Sequence, residues 1–365
     1  MSAVTAPWTD EAVTVMAGGA HHRVLTVTLT HPDLPTPVVL DLDPDREPTL
    51  DMSEAWAPAV RAQVTVRLPD EDTSRLLDSR GPARIVLRAG YVYASGRTDV
   101  HQIADLMIAS GAEDWGDGTC TLDLTGDELA AQTSGPLPGQ SPSWPWTQPI
   151  PTVLAAILTR VSPGRQVVTM PGVSTASLGE GLTVAAGDTW WPTIRDLADR
   201  IDAWVYDDGL RWVIAPRPTL DTRPAAVLRT GLSGTITALT SDVDRADFAN
   251  AVIVQYADGA TGYAEVTSGR YGTGQAPRVV LTVDRTTVTR PANATNVALA
   301  IASRAVTRGR SWGITAIGAL WLRPGDTITV HPPGRTPETC LLASVRHLLV
   351  SGSMVLTTRT PDTGA

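Results

Sequence analysis

The stretch Leu322-Arg-Pro-Gly-Asp-Thr-Ile-Thr-Val330 decides the fold, together with Cys340-Leu-Leu-Ala-Ser-Val-Arg-His-Leu-Leu-Val350 and Ser351-Gly-Ser-Met-Val-Leu-Thr-Thr-Arg359. Pro324-Gly325 makes a turn, and the short side chain of Asp326 can bond its own backbone as the chain leaves it. Strands are expected at Thr327–His331, Cys340–Leu349 and Ser353–Thr360, short runs rich in Val, Ile and Thr with turn residues between them. Working back to residue 225 adds Gly234–Leu239, Ala251–Tyr256, Gly262–Val266, Val279–Asp284 and Gly313–Ala319. One helix interrupts them. Asn293 caps it, Val297, Ile301, Ala305 and Val306 form its apolar stripe, and Gly309 ends it.

Residues 1–132 carry the same β signature. Val24–Thr30 and Val64–Leu68 alternate with period two, as half-buried strands do. Ala83–Arg88 and Gly90–Tyr93 flank a bend, and Ile103–Ile108 and Thr119–Thr125 surround the turn Asp114-Trp-Gly-Asp-Gly118. Helical turns are expected near Glu71–Leu77 and Asp127–Gln132. This region reads as a mostly antiparallel β-domain, a small barrel.

Between the two β regions the period changes. Residues 133–147 are a proline-rich linker containing Trp144 and Trp146. Residues 148–220 form an α+β unit. Its first helix begins at Pro151 and carries Leu154, Ile157, Leu158 and Val161; its second carries Ile194, Leu197, Ala198 and Ile201. A hairpin then turns at Asp207-Asp-Gly209 between Ala203–Tyr206 and Leu210–Ile214. A faint internal repeat aligns Leu50–Ser53 and Ala59–Val66 with Leu239–Asp242 and Phe248–Gln255.

Composition narrows the function. The 365 residues include 29 basic and 38 acidic side chains, a net charge of −9, and every one of the basic residues is Arg. Wrapping of nucleic acid calls for a basic footprint that this chain lacks. The charge-free stretch 129–159 is broken by six prolines, so no membrane span is expected. Cys120 and Cys340 offer neither a disulfide framework nor a zinc site.

No catalytic constellation assembles: nucleophile elbow, P-loop, zinc-helix and Rossmann fingerprints are all missing. The six histidines are scattered, so no metal site or cofactor is expected. Two acidic groups, Asp41/Asp43/Asp45/Glu47 and Asp242/Asp244/Asp247, read as solvated loops, with a glycosidase-type pair as the enzymatic alternative. Interface residues are sought instead at Trp144 and Trp146 of the linker and at Arg308 and Arg310, which close the last helix.

The C-terminal stretch quoted at the outset resembles the closing barrel of phage tail hub proteins, the baseplate-hub or tail-tip family. The middle hairpin after its amphipathic helix resembles the family's inserted domain. The resemblance implies a mainly β chain with an α+β insertion, two tail-tube-like β-barrel domains flanking a smaller α+β domain. It also implies a homotrimer whose six barrels match a sixfold tube at the distal end of the virion tail. Implied partners are a distal tail protein or tail-tube ring, the tape measure protein, and tail fibre or receptor-binding proteins. The resemblance further implies that DNA only passes through the channel and that assembly occurs in the host bacterial cytoplasm. No enzymatic activity is expected. The alternatives are another minor tail component, such as a distal tail protein or fibre adaptor, and a β-rich cell-wall glycosidase.

Overall fold

The computed structural model describes residues 8, 12, 21–55, 57–232, 234–243, 248–285, 294–306 and 310–359. The first β unit comprises β1 (His21–Thr30), β2 (Val38–Leu40), β3 (Thr49–Ser53), β4 (Val60–Arg67), β5 (Arg84–Tyr93), β6 (Thr98–Asp114) and β7 (Thr119–Thr125). Period-two burial runs along them as the sequence predicts. Val64 and Val66 of β4 and Leu122 and Leu124 of β7 point inward, while Arg61, Gln63 and Asp123 point out. All the pairings are antiparallel, in the order β3-β4-β7-β6-β5-β1-β2. The bend expected near Gly90 is instead a register shift after Leu87 within one continuous strand. Two short helices follow the sequence reading: α1 (Glu71–Leu76), capped by the Asp70 side chain on the Thr73 N–H at 2.8 Å, and α2 (Glu128–Thr133).

The α+β unit holds α3 (Ile150–Val161) and α4 (Trp190–Arg200). They pack on a sheet of β9 (Val167–Thr169), β11 (Ala203–Asp207) and β12 (Trp212–Pro216). The linker is not a free spacer: its β8 (Ser143–Trp144) pairs with β10 (Leu182–Thr183). Leu154, Ile157, Ile194 and Leu197 meet over Trp212, all fully buried, in a core that also takes Ala131 from α2.

Residues beyond 225 divide between two cores. β13 (Ala226–Arg229), β14 (Ile236–Val243), β18 (Arg310–Ile317), β19 (Thr327–His331), β20 (Glu338–Leu348) and β21 (Ser353–Arg359) share the core of the first β unit. β15 (Ala251–Tyr256), β16 (Thr261–Glu265) and β17 (Val280–Arg285) form a separate sheet under α5 (Ala294–Ala305), with Val252, Val254, Val297 and Ala298 as its core. The expected repeat does not survive this division. β3 pairs with β4, whereas β14 pairs with β18 and its sequence counterpart β15 lies in another sheet. The Asn293 cap lies outside the described residues.

One strand joins the two β regions. β3 pairs with β4 on one side and with β20 on the other, so thirteen strands make a single sheet from β14 to β2. The pairing gives an open path rather than two closed barrels. The reason lies in how β4 and β20 divide an edge. β4 gives Val60–Gln63 to β3. The rest of that edge meets the segment after β2, where Asp43 N–H bonds Thr65 O at 3.0 Å and Arg67 N–H bonds Asp41 O at 2.8 Å. β20 likewise gives its first half to β19 and its second to β3. The first region turns back on itself at that end, and the two regions remain fused through β3 and β20. Among the described residues no helix is long and apolar enough to cross a membrane.

Candidate functional site

Two groups of charged side chains lie where the units meet. The first forms between the first β unit and the α+β unit. Arg165, just past α3, bonds Asp207 Oδ1 at 2.8 Å and Asp105 Oδ2 at 3.1 Å. Arg84 of β5 bonds Asp105 Oδ1 at 2.6 Å and Asp127 Oδ1 at 2.9 Å. The carboxylates also serve the backbone: Asp207 Oδ2 accepts the Asp127 N–H at 2.8 Å, and Glu128 Oε1 accepts the N–H groups of Ala59 and Asp207. The Asp-Gly turn read from the sequence therefore docks as well as reverses. Gly209, at φ +86°, sets its Cα beside Ala104, and its carbonyl accepts the Asp105 N–H at 2.6 Å.

Burial raises the pKa of Glu128, and the neighbouring Asp207 charge raises it further. Burial likewise raises that of Asp207, against the pull of Arg165. Paired carboxyl groups of this kind are what a glycosidase uses. Here, however, both are buried and engaged with backbone or arginine. The arrangement is a joint between units.

The second group centres on Asp199 of α4. Its carboxylate accepts from Arg217, just past β12, at 3.1 Å, from Arg304 of α5 at 2.9 Å and from Arg285 of β17. Beside it Asp196 holds Arg200 at 2.7 Å. Both helix acids fall on the buried face of α4, next to the apolar stripe. This cluster links the α+β unit to the small sheet under α5.

The interface residues sought in the sequence are dispersed. Trp144 is half-buried against the α+β core, with Arg160 over its ring at 5.9 Å. Trp146, two residues on, is 62% exposed. Arg308 lies outside the described residues, and Arg310 opens β18 with its side chain also outside them. Another aromatic was missed. Residues 109–118 of the β6–β7 hairpin are exposed throughout, and Trp115 at the tip is 76% exposed. The signal was present: a Trp inside an Asp-Gly turn has no core within reach.

The acidic loops serve locally. Asp43 Oδ1 accepts the Asp45 N–H, and Glu47 accepts the backbone N–H groups of Val350 and Ser351. Asp244 and Asp247 lie outside the described residues, while Asp242 sits exposed in β14. Among the described residues no three His, Cys, Asp or Glu side chains are grouped to hold a metal. Cys120 and Cys340 are free and buried.

No family model matches the sequence, and no curated protein matches it. Solved structures do match its fold. A tail protein from Neisseria meningitidis MC58 aligns over 93% of this chain and 96% of its own, at 12% identity and a TM-score of 0.64. The 43 kDa tail protein of prophage MuSo2 from Shewanella oneidensis covers 93% and 100%, at 11% identity and a TM-score of 0.62. Prophage tail protein gp18 from Listeria monocytogenes covers 93% and 95%, at 10% and 0.52. The fold is that of these phage tail proteins over 93% of the chain. The resemblance read from the C-terminal strands extends to the chain as a unit.

Proposed function

We propose that this protein is a structural component of a phage tail, the hub that closes the distal end of the tail tube. The observation that carries the reading is the length of the match: two tail proteins align over 93% of this chain and over 96% and 100% of their own. Two β regions fused through β3 suit such a hub, because a rigid pair of tail-tube-like units per subunit lets a trimer offer six β surfaces to a sixfold ring. In this reading the division is 1–132, a linker at 133–147, an α+β domain at 148–220 and a second β domain at 225–365. The ring contacts a distal tail or tube protein above, the tape measure protein within, and fibre or receptor-binding proteins outside. The exposed Trp146 and Trp115 are its docking aromatics. The role is non-enzymatic, since the buried acids are committed to arginine and backbone.

Imaging the assembled tail without imposed symmetry tests this. A threefold ring of this chain at the distal end, with its two β regions about a sixth of a turn apart, is expected. A sixfold ring would assign the chain to another minor tail component, and a site along the tube would remove the hub reading.

A further inference from the structure

A cavity of about 490 Å³ opens beside α4, far larger than the volume of one water. Among the described residues, four arginines line it, Arg195, Arg217, Arg304 and Arg359, against two acidic residues, Glu54 and Asp199. Such a surplus is unexpected in a chain of net charge −9. Both carboxylates are already committed. Glu54 takes Arg359 through both oxygens, at 2.5 and 3.2 Å. Asp199 is shared among Arg217, Arg285 and Arg304.

Two cations keep donors that no described residue accepts, one on an exposed side chain and one on a sealed nitrogen. Arg195 lies one turn before Asp199 on α4 yet makes no hydrogen bond or ion pair with any described residue. The Nε of Arg217 is buried without an acceptor. Arg195 is an exposed side chain; partial desolvation and the like charges of Arg285 and Arg304 lower its pKa against the pull of Asp199, and burial with Arg304 pulls that of Arg217 down to about 10. Guanidinium groups crowded together with free donors are stabilised by a planar or tetrahedral oxyanion, which accepts several N–H bonds at once. Trp191 and Trp204 add apolar wall beside them, room for the carbon frame that carries such a group.

We infer that this cavity is an oxyanion site, in which Arg195 and Arg217 hold a carboxylate or phosphate group of a ligand with several heavy atoms. The inference stands apart from the tail reading, because it concerns only the walls of one cavity.

Isothermal titration calorimetry on the full chain tests it, with citrate, inorganic phosphate and a glutamate-rich peptide as separate probes and sodium chloride at matched ionic strength as the blank. Saturable binding of citrate or phosphate is expected if the ligand is a free anion. Saturable binding of the peptide alone is expected if the carboxylate belongs to another protein. In either case Arg195→Gln weakens binding at least tenfold, and Arg195→Lys, which keeps the charge but loses the fork, weakens it less. Arg195 holds no structural bond, so unchanged circular dichroism is expected for both variants. No saturable heat with any probe, or equal binding by Arg195→Gln, overturns the inference.

Discussion

Arg165 and Asp207, joined at 2.8 Å, fasten the α+β unit to the first β unit, because the same guanidinium also reaches Asp105 of β6. Asp207 is fully buried and Arg165 nearly so. Removing one partner of such a pair leaves its counterpart charged and desolvated. Arg165→Met is expected to cost about 3–5 kcal/mol, measured by urea denaturation. A loss below about 1 kcal/mol would show that the joint is held by other contacts.

The same joint predicts a pH dependence. Burial raises the native pKa of Glu128 above its unfolded value, so the folded state binds the extra proton. Its contribution to stability is complete below the ordinary carboxylate range, about pH 4.3, and is lost as pH rises toward neutrality. Glu128→Gln keeps Oε1 as acceptor for Ala59 and Asp207 and removes the charge. Thermal midpoints taken from pH 5 to 8 should therefore fall less steeply for the variant than for the parent. Parallel curves would mean that Glu128 does not titrate in that window.

His347 of β20 titrates with the opposite sign. Both ring nitrogens are buried without hydrogen-bond partners, and burial, with the charges of Arg323 and Arg23 nearby, pushes its pKa down to about 3. The folded state excludes the proton, so stability present above pH 6.5 declines as pH falls from there toward 3. His347→Met retains bulk without titrating. It should leave stability at pH 7 within about 1.5 kcal/mol of the parent and flatten the acid limb. An unchanged acid limb would assign that loss to other groups.

Gly90 faces β6 with no room for a side chain: a Cβ there would sit 2.0 Å from the carbonyl oxygen of Asp99. Backbone on both sides cannot swing away as a side-chain tip would. Gly90→Ala is expected to destabilise by about 1–3 kcal/mol in a thermal or denaturant melt. A neutral result would show that β5 and β6 separate freely at this point.

The Trp115 and Trp146 side chains are largely exposed in the isolated chain. Alanine at either is expected to change folding stability by no more than about 0.5 kcal/mol while reducing incorporation into tails. Complementation of a tail lacking the native chain, read by particle counts and infectivity, separates the two effects. Full incorporation of both variants would remove these residues from the interface.

The strands and helices were legible wherever periodicity was strong. Leu154, Ile157, Ile194 and Leu197 bury as their spacing requires, and the Asp207–Gly209 turn lies where its residues put it. The pairing of strands was not legible. Nothing local in Thr49–Ser53 distinguishes a strand with one partner from a strand with two, and its second partner lies almost 300 residues away. That contact also explains why two separate barrels were expected and one sheet is found. The charged joints were hidden for a similar reason. Asp127, Asp199 and Asp207 lie in a helical turn, a helix and a hairpin turn by sequence, and only tertiary packing brings arginines to them, while Glu128 turns inward onto backbone N–H groups. Arg195 gave no sequence signal, since it is an exposed arginine on an amphipathic helix and reads as ordinary surface.

The double role of β3 has a consequence for synthesis. Residues 49–53 and their partner on β4 emerge from the ribosome early, whereas Ser344–Leu348 of β20 are made close to the end of the chain. Throughout that interval the free edge of β3 is an open template for pairing with any exposed strand, including the same segment on a neighbouring nascent chain. Asp51 on β3 and Arg346 on β20, which pair across the finished edge, bear unlike charges on the two strands. Two copies of β3 brought together would set aspartate against aspartate, so the edge discourages its own duplicate while it waits for the strand that completes it.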